Sequence, residues 1–168
     1  MSELPTDAIA MLKADHRKVE ALFDQFEGAR TGTRRRALAE QICNELKIHT
    51  AIEEEIFYPA VKGRIEDDTL NEAYVEHDGA KVLINDIIAT LGDDAMLAAK
   101  VKVLSEEIRH HVHEEELRGD GMFAQVRKID VDLVALRDLM LERKQALTMQ
   151  ARDGGLPPAQ LSVLQQAA

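Results

Sequence analysis

Residues 45–53 read Glu-Leu-Lys-Ile-His-Thr-Ala-Ile-Glu, and residues 107–115 read Glu-Ile-Arg-His-His-Val-His-Glu-Glu. Both stretches contain a histidine and a glutamate four residues apart, which places the two side chains on one face of an α-helix. In the first stretch, His49 and Glu53 share that face with the apolar Ile42. Because burying an unpaired charge is costly, such a pair on a core-facing stripe needs a partner, and a metal ion would satisfy it.

Composition predicts a single all-α domain. The 168 residues suit one domain with a sizeable core, and aromatic residues make up only 4% of them. The net charge of −10 argues against nucleic acid and anionic membranes as partners. Cys43 is the single cysteine, and the sequence shows neither a signal peptide nor an apolar stretch long enough to span a membrane. We therefore expect a cytoplasmic protein.

Apolar periodicity predicts four long helices with short loops, which favours an up-down-up-down four-helix bundle. An additional C-terminal helix is expected to pack against the bundle or against another subunit, giving a homo-oligomer. Residues 1–150 would form the domain and residues 151–168 a flexible tail. The predicted helices cover about 6–27, 33–62, 67–91, 95–117, the short 122–128, and 131–150, with a turn at Gly92-Asp93-Asp94.

The chain repeats itself at an offset of 61 or 62 residues. This offset relates the first predicted helix pair to the second by a pseudo-two-fold axis. Six polar side chains on core-facing stripes then converge on one level of the bundle. The offset pairs His16 with His77, His49 with His111, and Glu53 with Glu115.

His110 and Glu114 form a second pair with the same spacing, one residue earlier. At 100° per residue, His111 shares its face with the apolar Ile108, whereas His110 shares its face with Glu107. The pair His111 and Glu115 is therefore preferred, and the pair His110 and Glu114 stays as the alternative.

For other polar residues near these positions, a role other than metal binding is favoured. Tyr58 is expected to turn away from the His49 face. Tyr74, three residues before His77, could reach the site as a hydrogen-bond donor or ligand, although packing is the favoured role. Cys43 is expected to be an inert small apolar residue. A solvated acidic face is expected for Glu54, Glu55, Glu114 and Glu116.

Four imidazoles and two carboxylates suit iron, manganese or zinc. Two carboxylates that can each bridge favour two metal ions over one octahedral ion, and positions left free would admit dioxygen, peroxide or nitric oxide. Zinc is disfavoured because its structural sites usually take four ligands. A ferritin-like carboxylate site is disfavoured because it needs two Glu-x-x-His motifs and only Glu107 with His110 provides one.

The order His16, His49-x-x-x-Glu53, His77, His111-x-x-x-Glu115 resembles the hemerythrin-like, HHE cation-binding family. Residues 53–59 and 110–116 resemble it too, and the likeness covers roughly residues 6–130. The resemblance implies a four-helix bundle around two non-haem iron ions, oxo- or hydroxo-bridged. The two glutamates would bridge the irons and the four histidines would be terminal ligands.

Two departures bear on the implied activity. The oxygen-carrying hemerythrins have a fifth histidine where this chain has Ala73, and an aspartate one residue beyond the position of Glu115. The resemblance therefore implies binding of, or reaction with, dioxygen, nitric oxide or peroxide, and an enzyme would be catalase-like, disproportionating peroxide. The alternatives are a non-enzymatic protein for iron or oxygen sensing, iron storage or iron donation, and a structural bundle whose polar pairs satisfy each other.

Overall fold

The computed structural model describes residues 4–92 and 95–165, and no strand forms within them. The all-α prediction is confirmed. Asp93 and Asp94 of the predicted turn, and residues 166–168 of the predicted tail, lie outside the described ranges. A π-helical turn, Glu53–Phe57, joins the second helix to the third. The α-helices are α1 Ala8–Gly28, α2 Gly32–Ile52, α3 Tyr58–Val61, α4 Asp67–Ala89, α5 Leu97–Glu116, α6 Met122–Val126 and α7 Leu133–Asp153.

The long helices α1, α2, α4 and α5 pack in a ring, each against the next, and α5 closes the ring on α1. This arrangement is the predicted up-down-up-down bundle. The additional helix α7 lies against α1, α2 and the π turn of its own bundle. No helix within the described ranges is long and apolar enough to cross a membrane.

Local signals explain where these helices begin and turn. The Asp7 side chain accepts a hydrogen bond from the amide of Ala10 at 2.9 Å, and Thr31 caps α2 in the same way. Such caps stabilise a helix by about 1 kcal/mol each. Between α5 and α6 the backbone approaches itself closely at Gly121, where a Cβ atom would lie 2.5 Å from the carbonyl oxygen of Leu117. The chain can therefore turn back immediately after α5.

Two apolar clusters fill the bundle, and a polar layer lies between them. One cluster contains Phe23 and Ile42, and the other contains Phe57 and Met140. Along α1, the polar layer falls between Leu12 of the second cluster and Val19 of the first. Burial of each large apolar side chain stabilises the fold by about 1.5–3 kcal/mol. The bundle thus holds the polar side chains in register from both sides.

The segment after α7 returns to the bundle. The helix continues to Asp153, slightly beyond its predicted end at residue 150. Residues 157–164, named here the C-terminal strap, then cross α2 and α4. Lys47 donates to the carbonyl oxygen of Pro157 at 3.1 Å, and the Asn85 side chain exchanges two hydrogen bonds with the backbone of Ala159, both 2.8 Å.

Candidate metal centre

The structure brings all six predicted side chains into the polar layer. Each is at most 5% exposed. Their donor atoms form two groups whose members lie within 4.8 Å of one another. The first half-site contains His16, His49, Glu53 and Glu115, and the second half-site contains Glu53, His77 and His111. Glu53 belongs to both groups and therefore joins the two half-sites.

All four histidines direct Nε2 inward, towards the two glutamates. Each of the four long helices supplies one of these histidines. They are His16 on α1, His49 on α2, His77 on α4 and His111 on α5. The Nε2–Oε distances are 3.3 Å for His16–Glu115, 3.2 Å for His49–Glu53, 3.2 Å for His77–Glu53 and 3.4 Å for His111–Glu115.

On the outer side, every histidine Nδ1 faces a carboxylate. A carboxylate in this position holds the proton on Nδ1, so the Nε2 lone pair is available inside. The solvated role predicted for Glu54 and Glu116 was wrong, and the supporting role of Asp15 and Glu76 was missed. The Nδ1–oxygen distances are 2.7 Å for His16–Glu116, 2.9 Å for His77–Glu54, 2.6 Å for His111–Glu76 and 3.6 Å for His49–Asp15.

These outer carboxylates follow a cyclic order around the bundle. Each is the sequence neighbour of one inward residue, yet each supports a histidine on the next helix of the ring. Asp15 and Glu76 are related by the same offset as His16 and His77. Glu54 and Glu116 likewise follow the offset of Glu53 and Glu115. The repeat in the sequence therefore contained the signal that could have identified them.

Several inward atoms have no hydrogen-bond partner among the described residues. An unsatisfied buried polar atom costs about 1–3 kcal/mol, so a concentration of them in one layer requires an explanation. A cation bound by the first half-site would satisfy four of them together. The unsatisfied inward atoms are Nε2 of His16, Nε2 of His49, Oε1 of Glu53 and Oε2 of Glu115, and the outer Nδ1 of His49 is unsatisfied as well.

The second half-site also requires a cation, but for a different reason. Nε2 of His77 and Nε2 of His111 lie 3.1 Å apart. Because the outer carboxylates hold the protons on Nδ1, both inner nitrogens present lone pairs to each other. Two lone pairs at this distance repel unless a proton or a metal cation lies between them. The donor set in both half-sites therefore fits a bound cation.

Both central glutamates are ionised at neutral pH. Burial and the charge of Glu115 raise the pKa of Glu53, but His49 and His77 outweigh them and lower it to about 2. Burial likewise raises the pKa of Glu115, yet His111 and His16 bring it well below its ordinary value. Burial lowers the pKa of His49, whereas Glu53 and Asp15 raise it to about 10. The layer therefore concentrates negative charge that attracts protons or metal cations.

The prediction that Tyr58 turns away from the site was wrong. In the π turn, the amide of Tyr58 donates to the carbonyl oxygen of Glu53, five residues earlier. The extra residue sets the side chain back by about 100° relative to an α-helix. The Tyr58 hydroxyl consequently donates to Oε1 of Glu115 at 2.9 Å and lies 3.2 Å from Nε2 of His77.

The electrostatic environment keeps this hydroxyl protonated. Burial, together with the charges of Glu115 and Glu53, raises the pKa of Tyr58 well above its ordinary value. Tyr58 can therefore hold a proton inside the layer.

The alternative ligand residues lie outside the layer. The His110 side chain is 64% exposed and pairs with Glu76 at 3.4 Å, and Glu114 is exposed as well, so both lie outside the buried layer. Tyr74 packs the edge of its ring against Tyr58, with ring centroids 5.2 Å apart. Cys43 is buried, and that burial raises the pKa of its thiol to about 12, as expected for an inert residue.

The two half-sites are covered by different groups. Phe123, delivered by the turn at Gly121, stacks on His16 with ring centroids 5.9 Å apart. A cavity of about 130 Å³ is lined by His111 of the second half-site, by Glu115 of the first, and by Ala73 and the exposed Asp120. A small molecule could reach the second half-site through this cavity.

Comparison with known proteins agrees with this geometry. Residues 7–118 match the hemerythrin HHE cation binding domain, two thirds of the chain. The protein thus belongs to a class of helical-bundle, cation-binding proteins. It is a member of the hemerythrin HHE cation-binding domain family. Family membership and the His/Glu layer together indicate that the chain binds metal.

Two known proteins are similar to this chain, one over 70% of its length and the other over 90%. A protein named DNA nickase, from Nostoc sp. (strain PCC 7120), is 27% identical over 117 residues, covering 70% of this chain and 32% of that protein. The chain therefore spans about a third of that relative. A crystal structure of a hemerythrin HHE cation binding domain-containing protein from Mycobacterium kansasii gives a TM-score of 0.71 at 20% identity. It covers 90% of this chain and 95% of the other, and it supports the fold assignment.

Proposed function

We propose that the chain is a non-haem di-iron protein that binds or reacts with dioxygen, nitric oxide or peroxide. The terminal ligands would be His16, His49, His77 and His111, and the bridging ligands Glu53 and Glu115. The observation that carries this proposal is the convergence of buried inward donors, several of which have no hydrogen-bond partner among the described residues. Two oxo- or hydroxo-bridged irons account for two donor groups that share a glutamate.

The type of donor favours iron over softer metals. Imidazole and carboxylate suit iron, whereas thiolate ligands select copper(I) and other soft ions. The single thiol, that of Cys43, lies in an apolar cluster and not in the donor layer. Six donors also exceed the four that a structural zinc site takes.

Residues around the donors support chemistry on a small ligand. Bound iron would supply redox and Lewis-acid chemistry. The cavity beside Ala73 and His111 gives a small molecule a route to the second half-site. The Tyr58 hydroxyl, buried between Glu115 and His77, can donate a hydrogen bond or a proton there. Phe123 and Phe57, packed edge to face at 6.0 Å, keep the opposite side dry.

The first test is metal content with a matched pair of variants. After anaerobic iron loading, we expect about two irons per chain and the near-ultraviolet absorption of an oxo-bridged pair on oxidation. His111→Ala should lower the iron content, whereas His110→Ala, its exposed neighbour, should not. Glu115→Ala and Glu114→Ala form a second such pair. Wild-type protein without any bound transition metal after loading would overturn the proposal.

Peroxide turnover distinguishes an enzyme from a sensor or an iron-handling protein. The proton held by Tyr58 and the access cavity favour catalase-like disproportionation of peroxide. Iron-loaded protein should then disproportionate many peroxide molecules per centre. Stoichiometric consumption, combined with iron-dependent protease resistance or oligomeric state, would instead support iron or oxygen sensing, storage or donation.

Partners and location complete the proposal. We propose a single domain over residues 1–150, acting in the cytoplasm, with neither nucleic acid nor membrane as a partner because the net charge is −10. This chain matches only 32% of the Nostoc protein, so the name DNA nickase does not make DNA a partner of this chain. On α7, Val134, Leu139 and Met149 are each about half exposed. We propose α7 as the contact of a homo-oligomer, which light scattering would detect.

A further inference from the structure

The C-terminal strap, residues 157–164, is anchored at one buried carboxylate. Asp78, which is fully buried, accepts hydrogen bonds from three consecutive amides of the strap. Ser162 donates at 2.8 Å, and Val163 and Leu164 each donate at 2.7 Å. Because hydrogen bonds to an ionised acceptor are about twice as strong as neutral ones, this anchor fixes the position of the strap on α4.

From this anchor the strap reaches the metal centre. The Ser162 hydroxyl donates to Oε2 of Glu54, and Lys81 donates to both of them, at 3.0 Å to Ser162 and 2.9 Å to Glu54. The other oxygen of Glu54 accepts from Nδ1 of His77 at 2.9 Å. A continuous set of hydrogen bonds therefore runs from the strap to a proposed metal ligand.

The equivalent carboxylate in the other half of the repeat is held differently. Glu116, which supports His16, pairs with Arg17 at 2.7 Å. Arg17 lies on α1 next to His16 itself, so this support is built within the bundle. The strap thus acts on the second half-site, and the first half-site provides an internal comparison.

We propose that the strap is a working part of the metal centre, with Ser162 and Lys81 as positioning residues that orient His77 through Glu54. This inference rests on the proposed function, because it assigns the residues a role towards bound iron. A metal-ligating histidine depends on its outer partner for its tautomer and ring orientation. Without the Ser162 hydroxyl, Glu54 loses one of the groups that hold it against His77.

The test compares Ser162→Ala with two controls. Ser162 is exposed, so its replacement should not unfold the protein. Anaerobic iron(II) titration against a competing chelator should show one of the two sites weakened in Ser162→Ala, by less than the roughly 10–100-fold that loss of an outer partner costs. Ser162→Thr, which keeps the hydroxyl, should restore wild-type affinity. Arg17→Met should instead weaken the other site.

A second measurement tests whether iron binding and the docking of the strap stabilise each other. If the strap strengthens iron binding, iron must stabilise the strap by the same free energy. Iron loading should therefore slow hydrogen exchange at the amides of residues 162–164, and Asp78→Asn should weaken iron binding in the same direction as Ser162→Ala. Wild-type protein that binds no iron would contradict the proposed function. Wild-type protein that binds iron normally, with unchanged affinity in Ser162→Ala and unchanged exchange in the strap, would overturn this inference alone.

Discussion

The two half-sites contain the same types of donor but differ in what surrounds them. Around the first half-site, Phe123 stacks on His16, and Nε2 of His16 and Nε2 of His49 have no hydrogen-bond partner among the described residues. Around the second, the Tyr58 hydroxyl contacts His77 and a cavity lies beside His111. The repeat therefore duplicates the inward donor residues and their outer carboxylates, while the surroundings of the two half-sites differ.

This difference arises where the two halves of the chain stop matching. After Glu53 the helix continues through a π turn, which brings Tyr58 into the layer. After Glu115 the helix ends at Glu116, and the tight turn at Gly121 delivers Phe123 instead. The symmetric part of the molecule accounts for holding metal. The asymmetric part changes what surrounds each half-site, and the proposed route of a small ligand depends on it.

The largest expected effect tests the residue common to both half-sites. Glu53→Ala removes the donor that joins the two groups, so we expect iron content to fall from about two per chain towards zero. His49→Ala removes a donor of the first half-site only and should leave more iron bound than Glu53→Ala. Metal analysis after anaerobic loading measures both.

Glu55→Ala is the control for Glu53→Ala, because Glu55 pairs with Arg143 on the surface. Its iron content should match that of the wild type. Retention of one full iron in Glu53→Ala would contradict a shared bridging role and would make the two half-sites independent.

An intermediate effect is expected from the outer carboxylates. Glu54→Ala leaves Nδ1 of His77 without its carboxylate and should weaken one iron site by about 10–100-fold. Asp15→Ala should cost less, because Asp15 lies 3.6 Å from Nδ1 of His49, beyond normal hydrogen-bond distance. Chelator competition on the two variants gives the order. An equal or larger loss in Asp15→Ala would show that distance does not set the strength of this support.

Helical periodicity and the internal repeat were sufficient to predict the fold and to identify the residues that point into the polar layer. The stripes on α1, α2, α4 and α5 follow a regular 3.6-residue period, so rotation by 100° per residue places His111 on the buried side of α5 and His110 on the exposed side. The all-α bundle and the family were confirmed by the structure and the comparisons. The additional helix α7 was expected, but only packing decided that it lies against its own bundle.

The features that sequence reasoning missed depend on departures from regularity or on contacts between distant segments. The same rotation of 100° per residue placed Tyr58 wrongly, because no local sequence pattern indicates the π turn. Glu54 and Glu116 look like surface acids on their own helices, and their function appears only against histidines of the next helix. The strap contact of Ser162 with Glu54 spans 108 residues, so no local pattern could indicate it.

The smallest expected effect concerns Tyr58, the group that breaks the symmetry. Tyr58→Phe removes the hydroxyl that donates to Glu115 and should lower the free energy of unfolding by about 1–3 kcal/mol, because a buried acceptor loses its donor. Iron content should stay near two per chain, since Tyr58 is not in the proposed ligand set. Peroxide turnover should fall, because the proton held beside the second half-site is gone.

Tyr74→Phe is the matched control for this change. Its ring packs against Tyr58 on the more exposed side, and the substitution should alter the free energy of unfolding by less than about 0.5 kcal/mol. Urea denaturation of the three proteins measures this difference, and steady-state peroxide assays measure turnover. If Tyr58→Phe kept full turnover, the hydroxyl would have a structural role only. The asymmetry between the half-sites would then come from the cavity beside Ala73, the proposed route of the small ligand.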